Sequence, residues 1–127
     1  MDLLLDTHVL IWWDANSPQL GKAAREAIEN PDSRVFVSAL SPWEIAIKLR
    51  TGKLEIRHGL TELVERNGFL HLPILSRHGE AAGLLDWQHK DPFDRMLVAQ
   101  AQIERLTLVH ADTHIRGYGA VAQLWAR

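Results

Sequence analysis

The sequence predicts an α/β fold, a three-layer α/β/α sandwich around a mostly parallel central sheet. Short apolar or β-branched segments alternate with longer segments whose apolar residues recur at helical spacing. The connections between them are short, as in successive β-α units. The 127 residues contain no tract rich in Pro, Gly or Ser that would mark a linker, so we expect a single domain, residues 1–127.

The first β-α unit begins with Leu3–Leu5, an apolar run closed by Asp6 that indicates a strand buried on both faces. The apolar residues 9–13 are predicted to start a helix. A second helix is expected to open at Ser17-Pro18, with Ser as the N-cap and Pro at the first helical position. Its predicted core face consists of Leu20, Ala23, Ala24, Ala27 and Ile28.

The second unit begins with residues 34–38, which alternate and are partly β-branched, so they predict a strand. The helix that follows is predicted to open at Ser41 and to stop at Gly52, a residue suited to the position after a helix. A short helix is expected over residues 60–66.

The second half predicts two further units and a last short strand. Residues 69–74 read as a strand with Pro near its end, which favours the edge of a sheet. Ser76 is expected to cap one helix, and Asp91 to open a longer one. Strands are predicted over residues 106–109 and 121–125.

Composition excludes several kinds of protein. The chain has no Cys, which excludes disulfides and thiolate metal sites. It lacks an apolar run that could cross a membrane and a basic leader, so we expect a cytoplasmic protein with no membrane contact. The net charge of −2 gives no general attraction to nucleic acid. The densest basic stretch, Lys48–Lys53 followed by Arg57 and His58, is typical of a solvated helix end.

Four acids follow strands or begin helices at places where a parallel sheet binds ligands. Asp6 and Asp112 follow predicted strands, and Glu44 and Asp94 lie near the starts of predicted helices. Ligands of open parallel sheets bind at the carboxyl ends of the strands. At least three of these acids can therefore meet at one edge, and Asp94 joins them if its helix also begins at that edge.

Clustered carboxylates repel one another unless a cation or protons compensate their charge. Oxygen ligands alone suit Mg²⁺ or Mn²⁺. Such an ion keeps open positions for a phosphate, which is the arrangement that hydrolyses phosphodiester bonds. The sequence therefore predicts a Mg²⁺ or Mn²⁺ site with hydrolytic activity.

Each acid also has a purely structural interpretation. Ser41 and Glu44 match the spacing of a capping box, and Asp91 is suited to cap the helix that carries Asp94. Asp94 itself, and the acids that follow strands, could equally cap helices.

The histidines and tryptophans carry weaker signals. None of the seven histidines has the HExxH spacing of a zinc site. His8, His89 and His110 lie near the acids and are candidates to contact phosphate or water. Their positions are equally compatible with a structural role. The five tryptophans are expected in the core or at a dimer surface before any role in base stacking.

The chain resembles the PIN-domain family, and within it the VapC-type ribonuclease toxins of prokaryotic toxin–antitoxin pairs. The run Asp94-x-x-x-x-Ala99-x-Ala101 matches the DxxxxAxA pattern of that family. The matching stretches, in family order, are LLLDTHVLIWW (3–13), VSALSPWEIAIKLRTGKL (37–54), HKDPFDRMLVAQAQIERLTLVHAD (89–112) and residues 118–125.

The resemblance implies endonucleolytic cleavage of RNA that depends on Mg²⁺ or Mn²⁺. It implies that the metal ligands are Asp6, Glu44, Asp94 and Asp112, and that the Thr7 hydroxyl orients the first of them. It also implies a homodimer and a cognate antitoxin protein that blocks the cleft. Asp91 is an additional acid, left as a cap or as a group close to the ligands.

Two other functions are compatible with the residues. In an aspartyl phosphatase or phosphotransferase, Asp6 would be the nucleophile, although the usual acid two residues later is replaced by His8. In a non-catalytic module, the domain would bind RNA or a protein without cutting. Lys48 and Arg95 are candidates to steer a phosphate, with surface or ion-pair roles as the alternative.

Overall fold

The computed structural model describes residues 1–54 and 59–127, with Leu60 described by its backbone alone; Arg57 and His58 lie outside the described residues. The strands are β1 (Asp2–Leu5), β2 (Arg34–Ser38), β3 (Leu70–Leu72), β4 (Thr107–His110) and β5 (Gln123–Trp125). The helices are α1 (Thr7–Asp14), α2 (Lys22–Glu29), α3 (Leu40–Arg50), α4 (Leu60–Arg66), α5 (Ser76–Leu84), α6 (Pro92–Glu104) and α7 (Thr113–Arg116). In this part of the chain no helix has the length and apolar character needed to cross a membrane.

The strands form one sheet in the order β3-β2-β1-β4-β5, and every neighbouring pair is parallel. Leu5, at the end of the central strand, pairs with Val37 of β2 and with Val109 of β4. The chain leaves β1 toward β2 on one side and later reaches β4 on the other. The carboxyl ends of β1 and β4 therefore flank the point where the winding reverses, which is where open sheets bind ligands.

Both faces of the sheet are buried, as the unbroken apolar run of β1 predicts. Leu3 and Leu5 point into one core with residues of α1, α2, α3 and α4. Leu4 points into the opposite core with residues of α6 and α7. The predicted three-layer sandwich with a parallel sheet is confirmed.

The predicted strands are all present, and β3 lies at an edge of the sheet as its proline indicated. The helix expected from Ser17 begins instead at Lys22, so that prediction was wrong by several residues. The Ser17 hydroxyl accepts the N–H of Gln19 in a local turn. Gly21 caps the helix, and its N–H donates to the Ala126 carbonyl at 2.7 Å.

The starts of the other helices also deviate from the sequence prediction. Helix α3 begins at Leu40, so Ser41 lies inside the helix rather than at its cap. Helix α1 begins at Thr7, earlier than expected, because the Asp6 side chain accepts the Val9 N–H. Ser76 is the first residue of α5 rather than its cap. The predicted end of α3 is confirmed, since Gly52 has a φ of +73°, which favours glycine.

Candidate functional site

An acidic cleft of about 240 Å³ lies at the carboxyl ends of β1 and β4. All four acids predicted to hold metal line this cleft, together with Thr7 and His8. The full lining is Asp6, Thr7, His8, Trp12, Glu44, Asp91, Asp94, Leu97, Ala111, Asp112 and Arg127. The fold thus brings together carboxylates that are far apart along the chain.

Asp6 is the most deeply placed of the acids, with 7% of its surface exposed. Its N–H donates to the Val109 carbonyl, and its Oδ1 accepts the Val9 N–H at 3.0 Å, so the side chain is fixed between sheet and helix. The pKa of Asp6 is raised from 3.8 to about 7, chiefly by burial; the hydrogen bond from Val9 lowers it, and the Glu44 and Asp94 carboxylates raise it. A buried charge of this kind requires a compensating cation or a proton.

The Thr7 hydroxyl orients Glu44 and not Asp6, so the role that the resemblance implied for it was wrong. The Thr7 hydroxyl donates to Glu44 Oε1 at 2.6 Å and lies 3.0 Å from the Ser41 hydroxyl. Lys48 Nζ lies 3.8 Å from Glu44 Oε2 and 3.4 Å from His8 Nε2. The capping-box interpretation of Ser41 and Glu44 was therefore wrong, because both side chains make contacts with α1 instead of with the start of their own helix.

Asp94 lies in the first turn of α6, and its Oδ2 is 2.7 Å from His89 Nε2. Burial raises the pKa of Asp94, the bond from His89 lowers it, and the Asp91 and Asp112 carboxylates raise it. Asp91 is the N-cap, and its Oδ1 accepts the N–H groups of Phe93 and Asp94. The prediction that Asp91 caps this helix is confirmed, and Asp94 projects into the cleft.

Asp112 both caps α7 and lines the cleft. Its Oδ1 accepts the His114 N–H at 2.7 Å and the Ile115 N–H at 3.2 Å. His110, fully buried at the end of β4, accepts the Asp112 N–H on Nδ1 and pairs with Gln123 through Nε2. Of the three histidines that were candidates for ligand contact, His110 therefore has a positioning role.

The donor set of the cleft fits a divalent cation. Oxygen ligands dominate it, and Mg²⁺ and Mn²⁺ prefer such ligands. Within the described ranges, ligand atoms of His89, Asp91 and Asp94 all lie within 4.8 Å of one another. Asp91 Oδ1 caps α6, just as Asp6 Oδ1 and Asp112 Oδ1 cap α1 and α7, so each of these carboxylates has its other oxygen outside the helix cap.

Of the two basic residues suggested by the sequence, Lys48 lies beside the cleft and Arg95 does not line it. Arg95 is turned away, and its guanidinium donates to backbone carbonyls of the segment between Ala82 and His89. Arg127 lines the cleft and lies over the Trp12 ring, 5.5 Å from its centroid. Sequence reasoning missed Arg127 because a single arginine far from the acids carries no local pattern.

Comparison with known proteins agrees with this architecture. The PIN domain matches residues 3–121. A curated relative, Ribonuclease VapC22 of Mycobacterium tuberculosis (strain ATCC 25618 / H37Rv), is 32% identical over 123 residues, 91% of each chain.

Two solved structures share the fold. One is a toxin–antitoxin complex from Klebsiella pneumoniae, with a TM-score of 0.70 and 20% identity over 97% of this chain and 96% of that one. The other is VapBC2 from Rickettsia felis bound to a DNA fragment from its promoter, with a TM-score of 0.67 and 11% identity over 98% of both chains. The family match and the curated relative lead to one assignment. The chain belongs to the PIN-domain family, among its VapC proteins.

Proposed function

We propose that this chain is a metal-dependent endoribonuclease, the toxin of a toxin–antitoxin pair, which hydrolyses RNA phosphodiester bonds in the cytoplasm. The observation that carries the proposal is the convergence of Asp6, Glu44, Asp94 and Asp112 on one cleft. Membership of the PIN-domain family and a relative named as a ribonuclease support it.

These four acids would hold a Mg²⁺ or Mn²⁺ ion. When bound, such an ion supplies a water of lowered pKa and stabilises negative charge on the reacting phosphate. It would also compensate the charge of Asp6, whose burial otherwise favours the protonated form.

The remaining residues of the cleft position these carboxylates. The Thr7 hydroxyl fixes one oxygen of Glu44, and backbone N–H groups fix one oxygen each of Asp6 and Asp112. Held in this way, the acids need little reorganisation when substrate arrives. Lys48 and Arg127 supply positive charge beside an otherwise acidic cleft, which reduces its repulsion of an RNA phosphate.

The proposed partners are an RNA substrate, a cognate antitoxin and a second copy of the chain in a homodimer. Support for the antitoxin comes from solved structures of the same fold that contain toxin–antitoxin complexes. The homodimer follows from the resemblance to the family.

The other functions considered have less support. The carboxylate of Asp6 is nearly buried, and one of its oxygens caps α1, which leaves it poorly exposed for attack on a phosphate. A non-catalytic module would not need four carboxylates to share one cleft, because their repulsion destabilises the fold.

Cleavage of RNA by the purified protein tests the proposal. We expect cleavage with Mg²⁺ or Mn²⁺, none with EDTA, and none by Asp6→Asn. Asp32→Asn, which changes an exposed acid in the turn before β2, is the matched control and should cleave like wild type. Cleavage that survives EDTA, or an active Asp6→Asn protein, would contradict the assignment. A phosphorylated Asp6 would instead support the phosphatase.

A further inference from the structure

Four aromatic rings form a continuous column beside the acidic cleft. Tyr118 stacks on Trp87, with ring centroids 4.8 Å apart and an angle of 25° between the planes. Trp87 contacts His89 at 4.8 Å. His89 stacks on His114 at 4.4 Å with an angle of only 13°. The column joins the segment before α6 to α7 and ends at His114.

The end of the column lies between two of the acids. His89 Nε2 is 2.7 Å from Asp94 Oδ2, and His114 Nδ1 is 3.4 Å from Asp112 Oδ1. The two stacked histidines therefore lie directly behind Asp94 and Asp112, the acids that line the cleft on this side.

The two histidine rings differ in accessibility. The His89 side chain is 17% exposed, and that of His114 is 65% exposed. One face of the His114 ring stacks on His89, and most of the side chain remains exposed to solvent. An aromatic ring that packs on a neighbouring ring with one face and exposes the other face can stack with a further flat ring.

We propose that His114 is a stacking platform for one nucleobase of the RNA, next to the phosphate bound at the acids. The inference rests on the proposed function, because that function brings a single-stranded phosphodiester to Asp94 and Asp112. Proteins that bind single-stranded RNA stack unpaired bases on aromatic side chains, histidine included. A base adjacent to the bound phosphate would complete the column as its fifth ring. His114 thereby becomes a residue that strengthens RNA binding and gives the modest base preference that differences in stacking strength produce.

The pair His114→Ala and His114→Phe separates stacking from the contact with Asp112. Both variants lose the imidazole nitrogen near Asp112, but only alanine also loses the ring face. His71→Ala, at an exposed histidine on the edge strand β3, is the matched control. Because His114 is largely exposed, we expect all three variants to fold.

The first measurement is cleavage of a random-sequence RNA pool, with steady-state kinetics and sequencing of the product ends. For His114→Ala we expect a KM raised about tenfold with kcat little changed, and loss of base preference at one position beside the cut. His114→Phe should restore both properties, and His71→Ala should match wild type. Equal behaviour of the alanine and phenylalanine variants, or an unchanged KM and preference in alanine, would overturn the proposal.

The second measurement does not need cleavage. Single-stranded RNA carrying 2-aminopurine is titrated with protein in Ca²⁺, which accepts the same oxygen ligands as Mg²⁺. Stacking quenches the fluorescence of this base, so we expect quenching by wild type and His114→Phe and a weaker effect with His114→Ala. If wild type fails to cleave but shows this pattern, the endoribonuclease function is wrong and the platform stands. If wild type cleaves RNA but neither measurement distinguishes His114→Ala from wild type and His114→Phe, the platform is wrong and the function stands.

Discussion

The first turns of α3 and α6 contain similar residues and lie side by side at the cleft. One carries Ser41–Glu44 and the other Asp91–Asp94, each with a proline and an aromatic residue between its ends. The aromatic residues Trp43 and Phe93 pack against each other, with ring centroids 5.0 Å apart. Each segment ends in an acid that lines the cleft.

The two helices nevertheless use their first polar residue differently. In α6, Asp91 stays outside the helix and caps it. In α3, the helix follows β2 almost directly, and the Ser38 hydroxyl accepts the Leu40 N–H. Ser41 is thereby drawn into the helix and fully buried, where its hydroxyl contacts Thr7.

The partners of the two acids differ for the same reason. Asp94 is paired with His89 from the segment just before its own helix, whereas Glu44 is paired with Thr7, which lies 37 residues earlier. The start of α6 is thus organised by neighbours in sequence, and the start of α3 by neighbours in space. This difference predicts how each will respond to substitution.

The largest effect is expected at the acid of α6. Asp94→Asn removes a proposed metal ligand, so metal-dependent RNA cleavage should fall by about a thousandfold or more. Asp91→Asn keeps an equally good N-cap, so its activity should stay within about threefold of wild type. Initial rates in Mg²⁺ measure both. An Asp91→Asn protein as inactive as Asp94→Asn would mean that Asp91 belongs to the ligand set, and the contrast between cap and site would fail.

Arg95 tests how the start of α6 is held. Its guanidinium donates to the carbonyls of Ala82, Gly83, Leu85, Trp87 and His89 at 2.6–3.3 Å. Arg95→Met leaves these carbonyls without that donor and should lower the free energy of unfolding by about 2–4 kcal/mol.

Arg95→Lys should recover only part of this loss, because an ammonium group cannot reproduce the planar fork. Urea denaturation of wild type, Arg95→Met and Arg95→Lys measures these differences in the free energy of unfolding. A lysine variant as stable as wild type would show that charge alone, and not the set of carbonyl bonds, organises the segment before α6.

The acids at both helix starts act on Asp6, because the carboxylates of Glu44 and Asp94 each raise its pKa. Its pKa is higher in the folded protein, about 7, than its ordinary value of 3.8. Asp6 therefore makes its full contribution to the free energy of unfolding below about pH 4. That contribution is lost as the pH rises through about 7. For the metal-free protein we expect a loss of about 4 kcal/mol from this residue, which Asp6→Asn should abolish.

Denaturation of wild type and Asp6→Asn in EDTA at several pH values measures this effect. Asp6→Asn should be the more stable protein at pH 8, because asparagine can still cap α1 without a buried charge. Identical pH dependence in the two proteins would show that Asp6 titrates as an ordinary exposed acid.

The smallest effect concerns the first polar residues themselves. Ser41→Ala should lower the free energy of unfolding by about 1 kcal/mol, because a buried hydrogen bond with Thr7 is lost. It should also slow cleavage several-fold, since Thr7 holds Glu44. Asp91→Ser exchanges one good N-cap for another and should change stability by less than about 0.5 kcal/mol. Equal losses in both variants would remove the distinction between the two helix starts.

Much of the fold could be predicted from local patterns. The apolar run of β1 is buried on both faces, and the alternation of strands with helices requires crossover connections, which favour a parallel sheet. The start of α6 was also predictable, because Asp91 and Pro92 act on N–H groups within a few residues of themselves. The start of α2 was not, because its cap Gly21 bonds to Ala126 at the other end of the chain.

The architecture and the set of acids could be predicted from the chain alone, because burial and helix capping act through residues that are close in sequence. The tertiary structure was needed to show that Thr7 orients Glu44 and that His114 stacks on His89. A hydrogen bond or a ring contact depends on distances of a few ångströms in space. Those distances are set by how sheet and helices pack, and no spacing along the sequence encodes them.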